Sequence, residues 1–202
     1  MKVRVKPASG AGTAARSALR WLLAAFVVAP AFAGATTVQE ITFDDMCARA
    51  DMIFIGSVAD VRSAWVAEEG GAIETAVTFE GIEWLHGEEL PQVTLRFSGG
   101  EMDGRAQRIA GMPRFRSGER VAVFAQTGKR MSPIVGFNQG CFEIVDSAAG
   151  PVVVDAFGRS ARCKIAPASC ADDAGAGAAA LRSDALSVGE LVDAVRARVA
   201  GR

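Results

Sequence analysis

GMPRFRSGERVAVFAQTGKRMSPIVGFNQGCF, residues 111–142, holds a Pro-aromatic turn, a short apolar strand at 121–124, a polar hairpin-like loop and a second strand entered through Gln139-Gly140-Cys141. Short apolar runs bounded by glycine and polar turn residues read as β structure. Neither this stretch nor the rest of the chain brings together a catalytic constellation.

Upstream, 52–61 (MIFIGSVADV) is a continuous apolar run rich in β-branched residues, with Arg62 to Trp65 prolonging it. It reads as a buried strand. In 73–85, Thr75, Val77 and Phe79 share one parity and Ile82 and Trp84 the other. Side chains alternate along a strand, so one face takes both sets only if the phase slips, and a β-bulge is expected at Glu80-Gly81. Residues 92–97 form another strand, broken by Ser98-Gly99-Gly100. A long basic excursion follows over 101–119, with a short strand expected near 107–109. Strands at 120–125, 142–145 and 151–154 complete the set.

Helices are expected at both ends. Thr42 with Asp45 resembles a capping box, and Phe43, Met46, Cys47 and Ala50 share a helical face. Ser187-Val188-Gly189-Glu190 is a fuller capping box, opening a helix striped by Leu191, Val192, Val195 and Val199. Residues 166–183 are Ala/Gly-rich and read as a linker, leaving 184–202 for the C-terminal helix. Short strands with glycine turns and a helix at each end argue a mainly β barrel or sandwich.

Residues 1–33 carry Lys2, Arg4, Lys6, Arg16 and Arg20 without an acid, then the apolar run 21–29 and the small-residue site Ala31-Phe32-Ala33. That order is a secretory signal peptide. Its apolar core is shorter than the roughly 20 residues a bilayer needs. Localisation is therefore expected to be periplasmic or secreted, with no membrane span after cleavage.

Without the leader, 17 basic residues face 23 acidic ones, net −6. Residues 34–104 are net −11, whereas 105–130 hold seven bases against Glu119 alone. The two regions could pair within the fold, or the basic one could meet an acidic partner. Arg105, Arg108, Arg114, Phe115 and Arg116 are the candidate partner contacts, because long loops on a rigid scaffold carry recognition. Export and negative charge argue against nucleic acid.

His86 is the single histidine and lies in a turn; no serine has a nucleophile elbow around it. The cysteines lack C-x-x-C spacing, so no metal and no cofactor is expected. Four cysteines in an oxidising compartment point to disulfides. Cys163 and Cys170 are close enough for local closure, which leaves Cys47 for Cys141; Cys47 could instead be an ordinary buried thiol on its helix.

The order TFDDMCARADMIFIGSV, TAVTFEGIEWLHGE, VTLRFSGGEMDG, GMPRFRSGERVAVF and VGFNQGCFEIV, over residues 42–146, resembles a family of largely uncharacterised exported bacterial proteins. Their domain is similar to the netrin-like module of the tissue inhibitors of metalloproteinases (TIMP). The resemblance implies an OB-like barrel over 34–165 and a binding role. Those inhibitors chelate zinc through an N-terminal cysteine, whereas the mature chain here would begin Gly34-Ala35-Thr36. The expected function is an exported, non-enzymatic binding module for a protein partner in the cell envelope or outside the cell. A structural or assembly role in the envelope is the alternative, and below it a protease-inhibitor-like role without cysteine chelation.

Overall fold

Thr42 starts the first helix as its spacing to Asp45 requires: its Oγ1 accepts the Asp45 N–H at 3.1 Å. The computed structural model describes residues 39–66, 71–128, 131–165 and 185–201. All of these belong to the unit Gln39–Arg202. The expected signal peptide 1–33 and linker 166–183 lie outside the described residues.

Helix α1 is Phe43–Arg49, with Asp44 and Asp45 in its first turn and Arg49 in its last, a charge order that suits the helix dipole. The strands are β1 Met52–Val66, β2 Ala72–His86, β3 Val93–Ser98, β4 Gly100–Met102, β5 Arg105–Gln107, β6 Arg120–Ala125, β7 Cys141–Ser147 and β8 Gly150–Val154. Helices α2, Arg162–Ile165, and α3, Val188–Val199, complete the order.

Six strands form one sheet in the order β3-β2-β1-β6-β7-β8, and β4 and β5 form a separate ribbon. Every pairing is antiparallel. The continuous apolar run of β1 is explained by its central place, covered on both faces. Ile53 and Ile55 join a cluster with α1, α3, Phe124 and Phe142. Phe54 and Val58 join the opposite cluster, with Val77, Phe79 and Phe97.

The phase slip expected in β2 is present. Ile55 pairs with Glu83 but Ser57 with Glu80, so β2 carries an extra residue across Gly81-Ile82. Gly81 has φ of 59°, a conformation glycine reaches without a Cβ clash. The bulge lets Val77, Phe79, Ile82 and Trp84 all serve one face. A compensating slip between Val58 and Asp60 turns Val61 and Ser63 toward that same side.

The mainly β, OB-like barrel is not what forms. The fold is mixed α/β with two sheets, and neither closes. The edges of the large sheet, β3 and β8, are not paired with each other. The β8 edge is taken instead by chain outside the strands: Val153 N–H donates to Leu186 O at 2.8 Å, and Ala161 N–H to Val153 O at 3.0 Å. At the other edge, Ser98 N–H turns outward to Met131 O at 2.9 Å. The bulge expected at Glu80-Gly81 re-phases the buried face and does not close the sheet.

The expected helices are in place. Ser187 Oγ accepts the Glu190 N–H at 3.2 Å, and Glu190 Oε2 accepts the Ser187 N–H at 2.9 Å. A helix as short as the 12 residues of α3 is marginal alone. Burial of Leu191, Val192 and Val195 holds it on the sheet, at roughly 1.5–3 kcal/mol per large apolar side chain. Arg198 joins α3 to α1, pairing with Asp44 while its guanidinium lies 4.8 Å from the Phe43 ring centre.

The expected Cys47–Cys141 disulfide is absent; both residues are thiols. The sheet itself keeps them apart. Cys47 packs in the cluster on the helix side, whereas Cys141 packs with the cluster on the other face. Strand alternation requires this, since Phe142 and Ile144 already face the helices. The expected 163–170 bond involves Cys170, which lies outside the described residues.

Candidate functional site

At Gly99 the chain leaves the sheet, its N–H donating to Ile73 O at 2.7 Å. The β4–β5 ribbon turns at Asp103 and Gly104, both at positive φ (51° and 72°), as a tight hairpin demands. Residues 108–119 then cross back to β6. Gly118 N–H donates to Val58 O, and Val58 N–H to Glu119 O, each at 2.8 Å. One ring pins this excursion down. Phe115 lies edge-on to Phe79 at 5.5 Å and 5.2 Å from Phe97.

Between excursion and sheet is a half-open cleft of about 340 Å³. Its size is at the lower end of the roughly 300–1,000 Å³ of ligand sites. Val61, Ser63, Thr75, Val77 and Phe97 line the sheet side, and Arg108, Ile109, Met112, Arg114 and Phe115 the excursion side. The walls are mostly apolar, with polar groups at defined points.

The polar floor is a chain of hydrogen bonds. Thr75 Oγ1 donates to Gly99 O at 2.7 Å, so Ser63 Oγ is the donor in its 2.9 Å contact with Thr75 Oγ1. Ser63 Oγ also accepts the Glu101 N–H at 3.4 Å. Gly100 makes this approach possible: a Cβ there would lie 2.2 Å from Thr75 Oγ1 and 2.6 Å from Ser63 Oγ. Gln107 Oε1 accepts the Ile73 N–H at 2.9 Å. Its N–H donors are the part of the carboxamide left for a ligand.

The five candidate contact residues divide by role. Arg108 and Arg114 are exposed residues lining the cleft. Phe115 is mainly an anchor, with its ring spent on Phe79 and Phe97. The Arg105 guanidinium lies 5.8 Å from the Trp65 ring centre, and Trp65 Nε1 donates to Asp103 at 3.1 Å. Arg116 turns to Glu119 within the loop, its N–H donating to the carboxylate at 2.8 Å.

Among the described residues, three acids of the acidic region pair with cations near the C-terminal end of the fold. Lys164 meets Glu40 at 2.7 Å, Arg196 meets Glu83 at 4.0 Å, and Arg198 meets Asp44. The Lys164 ammonium lowers the Glu40 carboxyl below its usual range, by hydrogen bond and by charge. Among the described residues, Arg105, Arg108, Arg114 and Arg120 enter no ion pair.

Other chemistry-bearing groups lie outside the cleft. His86 ends β2, opposite Ile53. Burial pushes the Cys141 thiol up to about 12, with Glu119 and Glu143 adding to the shift. A thiol so protonated is a poor nucleophile. Among the described residues, no group of three or more His, Cys, Asp or Glu could hold a metal ion. No helix there is long and apolar enough to cross a membrane.

Ser63, Thr75, Gly100 and Gln107 were not singled out from the sequence. The Gly99-Gly100 doublet was their one signal, marking a close backbone approach. Compared with known proteins, the chain matches no family model, no curated protein and no solved structure, so the likeness to the netrin-like, TIMP-type module, already at odds with the open sheet, finds no support there.

Proposed function

We propose that the mature protein is an exported, non-enzymatic binding module that engages a protein partner in the cell envelope or outside the cell. The observation that carries this reading is the ionic isolation of Arg108 and Arg114 at the rim of a mostly apolar cleft. Among the described residues, the ion pairs that leave the acidic region run to Lys164, Arg196 and Arg198 and not to these two arginines. Exposed, unpaired cations beside apolar surface suit recognition.

The test uses residues 34–202 with a photo-crosslinker beside Arg114, exposed to envelope extract and to spent medium. A defined adduct is expected, and it should be lost in the Arg108→Glu/Arg114→Glu variant at unchanged melting temperature. An adduct indifferent to this reversal refutes the proposed surface. N-terminal sequencing of exported material should begin near Gly34; an intact Met1 in a soluble cytoplasmic product refutes export.

A further inference from the structure

We infer that the cleft beneath the excursion receives an acidic peptide segment through an apolar anchor of one or two residues, the carboxylates flanking that anchor meeting Arg108 and Arg114. This rests on the binding-module reading and specifies the chemistry of the partner.

Three features converge on that ligand. The interior walls are largely apolar, with Val61, Val77, Phe97, Ile109 and Met112 around the Ser63–Thr75 floor, and Glu101 is the one acid among the lining residues. A space of about 340 Å³ suits one or two side chains better than a folded surface. The cations stand at the rim, exposed, on the excursion side. An apolar side chain can therefore enter while acids beside it stay near water and opposite positive charge. Charged groups left at the rim avoid the desolvation penalty of a buried pair.

The number of cations favours a peptide over a small carboxylate. Among the described residues, Arg105, Arg108, Arg114 and Arg120 enter no ion pair, yet of these only Arg108 and Arg114 line the cleft. A single carboxylate would meet the lining pair and leave the others unused. An extended acidic segment can place charges along the excursion. Gln107 adds N–H donors for a peptide carbonyl at the same wall. Acids of 34–104, with Glu101 of the lining among them, leave Arg108 and Arg114 as the cationic part of this surface.

The probe is the fluorescein-labelled hexapeptide EELFEE, titrated by fluorescence polarisation into residues 34–202. Binding at least tenfold tighter than for EEGGEE, which lacks the anchor, and for KKLFKK, which reverses the charge, is expected. Affinity should fall with added salt. Arg108→Glu and Arg114→Glu should each weaken EELFEE at least tenfold without moving the melting temperature, and Arg114→Lys should retain most of it. Ala106→Trp, adding bulk at the cleft wall, should exclude the anchor.

Equal affinity for EELFEE and EEGGEE, or indifference to both charge reversals, overturns the inference. Saturable binding of dodecanoate that EELFEE does not displace also overturns it, in favour of a lipid carboxylate. A crosslinked partner whose contact segment is neutral or basic overturns the peptide chemistry and leaves the binding module standing. Absence of any charge-dependent crosslink overturns the module itself, whatever the peptide does.

Discussion

Replacing Phe115 by alanine separates its two possible roles, anchor and contact. Its ring is edge-on to Phe79 at 5.5 Å and 5.2 Å from Phe97, and both of those rings are buried. Truncating a fully buried Phe destabilises by roughly 3–5 kcal/mol. Phe115 is only half-buried, so the transfer loss should be about half of that. The two ring pairs add about 0.5–1.5 kcal/mol each. The expected loss is therefore about 4 kcal/mol, or roughly 8–16 °C in melting temperature for a domain of this size. Urea unfolding followed by tryptophan fluorescence reads it, since Trp84 packs 5.4 Å from Phe54 in the same cluster. Arg114→Glu is the control and should stay within about 0.5 kcal/mol. If Phe115→Ala leaves the urea midpoint in place while abolishing partner capture, the ring is a contact and the anchoring argument fails.

Three further outcomes are expected. Glu190 is held down to about 2 from its ordinary 4.5 by the Ser187 N–H first, then by Arg162 and the Ser187 hydroxyl. A depressed carboxyl contributes stability that is present above the unfolded value and lost as pH falls through the folded one. Glu190→Gln should lower stability at pH 7 by roughly 1 kcal/mol, the scale of a helix cap, and flatten the acid unfolding curve between pH 4.5 and 2. For Cys141 the sign is opposite: its folded value of about 12 exceeds the ordinary 9, so stability should decline above pH 9, a slope that Cys141→Val lacks. In the native protein at pH 8, peptide mapping should find Cys141 unlinked to Cys47 and slow to react with iodoacetamide, because its raised pKa leaves little thiolate; ready alkylation would contradict that shift. Gly100→Ala forces a Cβ to within 2.2 Å of Thr75 Oγ1 at a φ of 143°. It should destabilise by roughly 1–3 kcal/mol, as overpacking does, and an unshifted urea midpoint would show that the cleft floor yields.

Local chemistry alone specified much of this protein. The caps at Thr42 and Ser187 are legible because capping involves residues three apart. The bulge at Gly81 is legible because a parity change in a strand has no other way to bury both sets. The central place of β1 follows from an apolar run with no exposed phase. The tertiary structure decided what depends on distant partners. Whether the sheet closes turns on its edges, and Leu186 and Ala161 claim the edge of β8 from outside the run of strands. Cys47 and Cys141 lie on opposite sides of one sheet, a separation that spacing along the chain does not carry. Among the described residues, Glu40, Glu83 and Asp44 find Lys164, Arg196 and Arg198, because ion pairs form between side chains that the packing of α2 and α3 against the rest of the fold brings together. Arg108 and Arg114, without an ion-pair partner among the described residues, stand at the cleft, with Phe115 holding their loop against the sheet.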